Sequence, residues 1–355
     1  MITNHKYYLD LAFKIAEKNL GKTKLNPSVG AVIVKNDTVI STGITSLNGR
    51  PHAEYNALKK IKKCEGASLY TTLEPCTHYG LTPPCVNIII KKKIKNVYYG
   101  FNDPDPRTFK KAKIILKKNK IKTKLIKSKN FNRFYDSYYL NKKFKLPLIT
   151  AKISISNDYY SINKRSKWIT NKNTQKITHL LRSKNDCIFS TSKTINKDNA
   201  LLNCRINGLN NLKPDLFIID LNLKLKKDLS IINMARKRKI FLITTEDNVK
   251  KVEFFKKKGF KILLVNSLSS KKDFKKMFQY VYQLGYCRFF FETGLTLLNA
   301  LLNYKLLNIL YIFRSNIMLK KNGLNNTTPH YLKKIKFNKK IKVNLINDSL
   351  FKKEF

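Results

Sequence analysis

The sequence predicts two α/β domains in one chain. Its 355 residues exceed what one hydrophobic core usually organises, since domains commonly run to roughly 100–200 residues. After residue 147, short apolar runs alternate with helical patterns, which is typical of a mainly parallel sheet covered by helices. Residues 127–145 are the least regular and are rich in Lys, Asn and Tyr, which predicts a linker or a joining helix. We therefore place the domains at residues 1–145 and 146–355.

Two strands open the pattern of the first domain. Residues 29–34 are almost continuously apolar, which predicts a buried strand, and residues 37–44 predict its antiparallel neighbour. Turn-forming residues at 49–51 then break the chain. A helix is therefore expected to begin at His52 and to run to about Lys62.

A third strand and a second helix follow. Residues 68–73 predict the strand. Two prolines precede Cys85, and proline is typical of the first positions of a helix. Cys85 is thus predicted in the first turn of a helix that continues to Lys92, where the helix dipole favours a thiolate.

Seven strand-like runs are predicted in the second domain, separated by helical patterns. They cover residues 148–155, 186–190, 216–220, 240–244, 261–265, 288–291 and 308–313. One of the intervening helices, residues 173–181, is expected to pack through Ile177, Leu180 and Leu181, which lie on one helical face. The sequence contains no internal repeat.

Four residues of the first domain carry a recognisable chemistry. His52 and Glu54 lie two residues apart, and Cys76 and Cys85 each follow a proline. One imidazole and two thiolates hold zinc with a fourth position left for water, whose pKa the metal lowers. Glu54 is not needed as a ligand and is predicted to carry the water's proton to a departing amine, as in the zinc deaminase signature. The two cysteines are separated by eight residues rather than the two of that signature.

Two other interpretations of these residues stay open. Single histidines and cysteines are usually scattered polar groups and buried thiols. A closed structural zinc site is the more serious alternative, and it would need a fourth ligand, for which His78 is the nearby candidate. A structural site predicts that Glu54→Ala changes no turnover, because the carboxylate would have no proton to carry.

Four segments of the first domain carry a family resemblance, namely residues 26–30, 51–54, 72–85 and 102–106. They resemble the deaminase half of the bifunctional riboflavin-biosynthesis deaminase/reductase family, whose zinc signature has the same long loop between the cysteines. The resemblance implies a cytidine-deaminase-like three-layer fold and deamination of a phosphoribosylated diaminopyrimidinone. The site residues that it implies are the zinc ligands His52, Cys76 and Cys85, the catalytic Glu54, and Asn26 and His78 in the pyrimidine pocket.

The resemblance continues through the second domain. There it implies a dihydrofolate-reductase-like α/β fold that reduces the substrate's ribosyl group to ribityl with NADPH. The substrate-binding residues that it implies are Lys152, Ser166, Arg182, Leu202, Arg205 and Glu292. The cations among them, Lys152, Arg182 and Arg205, suit a sugar phosphate. The cofactor-binding residues that it implies are Ser154, Trp168, Thr194, Asp198 and Gly294. Taken alone, Trp168 would be interpreted as a core or rim aromatic.

Three glycines of the family pattern are replaced in this chain. Tyr159, Thr191 and Thr293 stand at those positions, and Asn199-Ala200 stands where the pattern has Asp-Pro. Glycine allows a positive φ or a close approach of the backbone to a phosphate. The chain is interpreted as bifunctional, and a deaminase with a degenerate reductase domain is the alternative.

The net charge of +50, from 72 Lys and Arg against 22 Asp and Glu, would ordinarily indicate a nucleic acid or an anionic membrane. The basic residues are instead spread along the whole chain, together with abundant Asn, Ile, Phe and Tyr, as an AT-rich coding sequence produces. We predict no specific nucleic-acid partner and only weak, salt-sensitive RNA binding. An RNA-binding protein or nucleic-acid deaminase is the remote alternative, against which the long cysteine loop argues.

The cysteines and the hydropathy indicate a cytoplasmic protein. Cys64, Cys187, Cys204 and Cys287 show no paired spacing and are predicted to be buried thiols in a reducing compartment. The N-terminus lacks the apolar core of a signal peptide, and no apolar run reaches about 18 residues. We therefore expect no membrane contact. The family resemblance implies a small-molecule pyrimidine ribotide as the partner, and a homo-oligomer stays open.

Overall fold

A computed structural model describes residues 4–209, 214–245, 249–335 and 340–355. The chain divides into two units, Met1–Leu146 and Pro147–Phe355. Each unit has its own sheet and its own helices, so the predicted α/β class is confirmed.

The first unit is built on a five-stranded sheet. Its strands are β1 (Gly30–Lys35), β2 (Thr38–Ile44), β3 (Ser68–Thr71), β4 (Asn96–Tyr99) and β5 (Lys122–Leu125), in the order β2-β1-β3-β4-β5. β1 pairs antiparallel with β2 and β3, whereas β3, β4 and β5 are parallel. The helices are α1 (His5–Glu17), α2 (Ala53–Leu58), α3 (Cys85–Lys91), α4 (Lys111–Lys118) and α5 (Asp136–Phe144).

Strand β1 is buried on both faces, which explains its unbroken apolar sequence. Ala31 and Ile33 belong to the main core cluster, and Val32 and Val34 belong to a second cluster on the opposite face. The sheet of the first unit is therefore the middle of three layers.

Helix α2 lies unusually close to the sheet, and this fixes the start of the helix. A Cβ atom on Gly43 would lie only 2.1 Å from the carbonyl oxygen of Ala53. Only glycine at that position in β2 lets the backbone of α2, and with it His52, approach so closely. The helix ends at Leu58 and not near Lys62, because four lysines among residues 59–63 would repel one another at helical spacing.

The stretch from residue 127 to residue 145 is not a linker. It contains a short 3₁₀ turn, Lys129–Phe131, and helix α5. Phe131, Tyr135 and Tyr138 are buried in the main core of the first unit. The surrounding lysines obscure the hydrophobic pattern of this segment in the sequence. Its aromatic residues pack on the inner side.

The second unit is built on an eight-stranded sheet in the order β11-β10-β9-β8-β12-β6-β13-β15. Its strands are β6 (Leu148–Ile155), β8 (Cys187–Thr191), β9 (Asp215–Ile219), β10 (Ile240–Thr244), β11 (Lys261–Leu264), β12 (Arg288–Glu292), β13 (Ile309–Arg314) and β15 (Ser349–Glu354). A separate two-stranded ribbon pairs β7 (Ile162–Asn163) with β14 (Gly323–Leu324). All seven predicted strands are present to within one residue at each end.

Strand β15 is antiparallel to β13, whereas the other strands of this sheet are parallel. Its sequence is rich in charge, as is usual for the edge of a sheet, and gave no strand signal. The helices of the unit are α6 (Lys172–Ser183), α7 (Ser192–Asp198), α8 (Ser230–Met234), α9 (Val249–Lys257), α10 (Lys271–Gln283), α11 (Leu295–Asn303) and α12 (His330–Lys334).

Helix α6 buries a face that differs from the predicted one. Ile177 and Leu181 are partly buried against apolar clusters, but Leu180 is 38% exposed. The fully buried side chains of the helix are Thr174, Thr178, His179, Arg182 and Ser183. The polar side of α6 faces inward because its cation and imidazole have buried hydrogen-bond partners.

The remaining predictions about the chain as a whole concern its thiols and its hydropathy. Cys64, Cys187, Cys204 and Cys287 are all buried, and none of these four described residues forms a disulfide, as predicted. Within the described ranges, no helix has the length and apolar character needed to cross a membrane.

Candidate active sites

Three side chains of the first unit converge as a ligand set. His52 immediately precedes α2, Cys76 follows β3, and Cys85 is the first residue of α3, as predicted. The Nδ1 atom of His52 lies 3.5 Å from the Cys76 sulfur and 3.4 Å from the Cys85 sulfur. These are the separations expected in a zinc tetrahedron, whose N–S edge is about 3.5 Å when the metal bonds are near 2.0 and 2.3 Å. His52 and Cys76 are only half-buried, and the described residues supply three ligand atoms to this group.

The pKa values of the two thiols are shifted in opposite directions. Hydrogen bonding from the side chain of Cys85, together with His52, lowers the pKa of the Cys76 thiol to about 4 despite burial. That hydrogen bond and burial raise the pKa of the Cys85 thiol well above its ordinary value. A divalent cation removes this difference between the two thiols, because it binds both sulfurs as thiolates. The donor set therefore fits zinc.

Glu54 lies in the first turn of α2 and is only 3% exposed. Its Oε2 atom is 3.4 Å from the Cys85 sulfur, and its Oε1 atom is 3.5 Å from the Thr71 hydroxyl. Burial raises the pKa of the Glu54 carboxyl, and the neighbouring Cys76 thiolate adds to the effect. A carboxyl with a raised pKa beside the ligands is suited to take up and release a proton.

The chain that leads to Cys76 is anchored by the carboxylate of Glu74. This buried carboxylate accepts hydrogen bonds from the backbone amides of Asp103, Lys110 and Ala112, at 3.0–3.2 Å. The carboxylate oxygens of Glu74 are therefore satisfied by these backbone amides. The hydrogen bonds hold the Glu74-Pro75-Cys76 segment in place.

His78 and Asn26 flank the ligand set without joining it. The Nδ1 atom of His78 is 3.1 Å from the Thr108 hydroxyl, and the ligand group found among the described residues contains only His52 and the two cysteines. A closed structural site would require a fourth protein ligand, and the geometry of the described residues gives none there. Asn26 packs against Gly49, where a Cβ atom would lie 2.3 Å from the Asn26 Nδ2 atom.

Arg50 is a neighbour of the ligand set that the sequence reasoning missed. Its Nη1 atom donates to the Thr82 hydroxyl at 2.7 Å and lies 3.5 Å from the Nε2 atom of His52. The only sequence signal is its position two residues before the histidine, where it was interpreted as part of a chain break.

We expect Cys76→Ser to reduce the zinc content of the protein well below one ion per chain and to remove deaminase activity. A neutral hydroxyl replaces a thiolate ligand, and the site loses one of its three protein donors. Cys64→Ser is the matched control, because it makes the same change at a thiol of the same domain that lies outside the ligand group. Elemental analysis of both purified variants measures the difference, and equal zinc content would contradict the assignment.

A second constellation lies in the second unit. Lys152 on β6 and Glu292 on β12 are paired in register on neighbouring strands. Arg182 of α6 makes a two-pronged contact with Glu292, from Nε to Oε1 at 2.5 Å and from Nη2 to Oε2 at 3.0 Å. Burial alone would raise the pKa of Glu292, but Arg182 and Lys152 together hold it below its ordinary value. The carboxylate is therefore ionised and fixed in orientation.

The loop from Leu202 to Arg205 is tied to this pair. The carbonyl of Asn203 accepts from Nη1 of Arg182 at 2.8 Å, and the carbonyl of Leu202 accepts from the buried Arg238 at 3.1 Å. Leu202 has φ +48°, which is a sterically unfavourable conformation for leucine. The hydrogen bonds thus hold two predicted substrate-binding residues, Leu202 and Arg205, next to Arg182.

The predicted cofactor-binding residues border the same region. Ser154 lies two residues after Lys152 on β6, and therefore on the same face of the strand. Its buried hydroxyl has no hydrogen-bond partner among the residues that the structure describes. A buried polar atom without a partner is costly, so this hydroxyl fits a ligand such as a nicotinamide cofactor. Gly294 lies two residues after Glu292 and is the N-cap of α11.

The segment with Ser166 and Trp168 is on the surface. Trp168 is 50% exposed, and its amide donates to the Ser166 hydroxyl at 3.2 Å. Lys167 between them donates to the carbonyl of Asp198, the last residue of α7, which also contains Thr194. Trp168 is thus a rim aromatic whose segment is tied to the residues predicted to bind the cofactor.

The replaced glycines prove to have different consequences. Tyr159 has φ +66°, a conformation that glycine adopts more readily. Thr191 has φ −116° and caps α7, and Thr293 is not among the positive-φ residues. Asn199 has φ +44°, which asparagine tolerates, and accepts from the Ser230 amide at 3.0 Å. Only one of the three glycine positions therefore needs glycine for its backbone conformation.

We expect Thr191→Ala to destabilise the second domain by about 1 kcal/mol. The Thr191 hydroxyl accepts from the Thr194 amide at 3.3 Å, and alanine leaves that amide uncapped. Thermal unfolding measures the change, and Thr191→Ser is the control that keeps the hydroxyl. A stability equal to wild type in the alanine variant would contradict the capping role.

Comparison with known proteins separates the same two parts. Residues 2–101 match the cytidine and deoxycytidylate deaminase zinc-binding region, and residues 147–323 match the RibD C-terminal domain. Riboflavin biosynthesis protein RibD of Aquifex aeolicus is 33% identical over 279 residues, which cover 77% of this chain and 77% of that protein. A solved structure of Acinetobacter baumannii RibD is 25% identical, with a TM-score of 0.81 and 98% of each chain covered.

A further solved structure, from Thermotoga maritima, is described as a diaminohydroxyphosphoribosylaminopyrimidine deaminase/5-amino-6-(5-phosphoribosylamino)uracil reductase. It is 24% identical, with a TM-score of 0.80 and coverage of 99% of this chain and 98% of that one, and supports the fold.

The fold and the two sites define a zinc-dependent deaminase joined to an NADPH-dependent reductase, and the predicted cytidine-deaminase-like and dihydrofolate-reductase-like folds are confirmed. The chain belongs to the RibD family of bifunctional riboflavin-biosynthesis proteins.

Proposed function

We propose that the first domain deaminates a phosphoribosylated diaminopyrimidinone by hydrolysis and that the second domain then reduces the ribosyl group to ribityl. The observation that carries this proposal is the three-ligand set with the buried Glu54 beside it. An open metal position with an adjacent proton carrier is what hydrolysis of an amine from a pyrimidine ring requires.

In the deaminase step, His52, Cys76 and Cys85 hold zinc, which supplies a Lewis acid and a water of lowered pKa when bound. Glu54 takes the proton of the attacking water at its carboxylate and delivers it to the departing amine. Its pKa, raised by burial, favours uptake of the proton from water. Asn26 and His78 border the pyrimidine and orient it.

In the reductase step, NADPH supplies the hydride that the first carbon of the sugar accepts. The Arg182 guanidinium is occupied by Glu292 and by the Asn203 carbonyl, so we assign it to positioning rather than to the phosphate. Lys152 and Glu292 bind sugar hydroxyls together with Ser166, and Arg205, beside Leu202 in the exposed part of the loop, binds the phosphate. Ser154, Trp168, Thr194, Asp198 and Gly294 border the cofactor.

Two separate assays test the proposal. Ammonia release is measured with the zinc-loaded protein and the diaminopyrimidinone ribotide without NADPH, and NADPH oxidation is measured with the deaminated product as substrate. We expect both reactions, with the first lost on chelation of zinc and the second retained. A protein that catalyses neither reaction would contradict the proposal.

We also propose that the protein works in the cytoplasm. None of its six cysteines, all of them among the described residues, forms a disulfide, and cysteines remain reduced in that compartment.

A further inference from the structure

We infer that Arg50 is the cation of the deaminase site that binds the phosphate of the substrate. The inference rests on the function proposed above, and it adds a residue that determines which pyrimidines the site accepts. The position of Arg50, its unused hydrogen-bond donors and its effect on the metal ligands support the assignment independently.

The position of Arg50 is suited to a group at the far end of the substrate. Its guanidinium lies between the outer edge of the His52 ring and the loop that joins the two cysteine ligands, where it binds Thr82 and approaches Gly80. The Nδ1 atom of His52, which would hold zinc, faces the two sulfurs, and the guanidinium lies at the opposite, Nε2 edge of the ring. A ribose phosphate likewise extends away from the reacting carbon of the pyrimidine.

The donors of Arg50 are largely unused. A guanidinium has five N–H donors, and among the described residues the Thr82 hydroxyl is the acceptor that Arg50 engages. Two other cations near the site, Arg107 and Lys142, are both paired with the carboxylate of Asp105, at 2.6 and 2.9 Å. Arg50 has no carboxylate partner in the described part of the chain. Its planar fork is therefore free for the bidentate contact that phosphate favours.

The contact between Arg50 and His52 does not explain why an arginine stands beside a metal ligand. When Nδ1 of a neutral imidazole binds the metal, Nε2 carries a hydrogen and cannot accept one from Arg50. A guanidinium at 3.5 Å from this ring also opposes the binding of a second cation. An anionic group of the substrate, bound between Arg50 and the cysteine loop, offsets that repulsion.

The test compares two substrates in three variants. Deamination is measured on the ribotide and on the same compound after its phosphate has been removed. We expect Arg50→Gln to raise KM for the ribotide about 10- to 100-fold, the range for a hydrogen bond to a charged group. KM for the dephosphorylated compound should change less than about threefold, and Arg50→Lys should retain part of the preference because it keeps the charge.

Arg133→Gln is the matched control for loss of charge, because Arg133 lies in the same domain and is paired with Asp136 on the surface. Its kinetics and the zinc content of all variants should equal those of wild type. An equal change in KM for both compounds, or no change for either, would overturn the inference while the activity itself stands. A wild-type protein that deaminates neither compound would overturn the proposed function instead.

Discussion

Glu54→Gln is expected to lower the turnover number of deamination by about 10²- to 10⁴-fold, the contribution of a positioned acid–base group. Glutamine has the shape of glutamate, so the buried position next to Cys85 and Thr71 stays filled. The amide cannot take the proton from water or deliver it to the amine. Because Glu54 is not one of the three ligands, zinc content should be unchanged.

The second domain provides the control for this experiment. NADPH-dependent reduction of the deaminated intermediate by Glu54→Gln should proceed at the wild-type rate. Steady-state ammonia release and elemental analysis complete the measurement. Full deaminase activity in Glu54→Gln, with zinc present, would contradict the proton-carrying role and favour a structural metal site.

Arg182→Met is expected to destabilise the second domain by about 3–5 kcal/mol and to remove reductase activity. The change leaves Glu292 as a buried carboxylate without its two-pronged partner, and only Lys152 remains to compensate for its charge. It also frees the Asn203 carbonyl, so the loop to Arg205 loses an anchor. The single tryptophan, Trp168, lies in this domain, so its fluorescence during urea unfolding reports the stability of the domain.

The double variant Arg182→Met/Glu292→Leu separates stability from function. Removing both charges leaves no unpaired carboxylate, so part of the stability should return while the reductase stays inactive, although the buried Lys152 then loses the carboxylate beside it. Arg236→Met is the matched control, since this arginine is exposed and its loss should change stability by less than about 0.5 kcal/mol. If Arg182→Met alone unfolds at the wild-type urea concentration, the buried pair is not structural.

The deaminase site was predictable because its signals are local in sequence. His52 and Glu54 are fixed by one helix start, and each cysteine follows a proline at the end of a strand or the beginning of a helix. His52 and Glu54 keep their relative positions because they share one helix start, whereas the fold brings the two cysteines, 24 and 33 residues further along the chain, next to His52. Cys85 in the first turn of α3 follows directly from the two prolines before it.

The reductase region was predictable in its strands but less so in its contacts. Arg182 and Glu292 are 110 residues apart in sequence, and no local pattern shows that the polar side of α6 turns inward to make this pair. The hydrophobic periodicity instead favoured a face with Leu180, which is exposed. The glycine replacements likewise required backbone angles to interpret, since only Tyr159 occupies a positive φ.

Product mass spectrometry with two isotope labels tests the central claim most directly. The zinc-loaded protein is given the diaminopyrimidinone ribotide in oxygen-labelled water, with NADPH deuterated at the transferred position. If both domains act in sequence, one product carries labelled oxygen in place of the amine and one deuterium on the sugar chain. Labelled oxygen without deuterium would mean a deaminase with a degenerate reductase, and unchanged substrate would contradict the assignment of both sites.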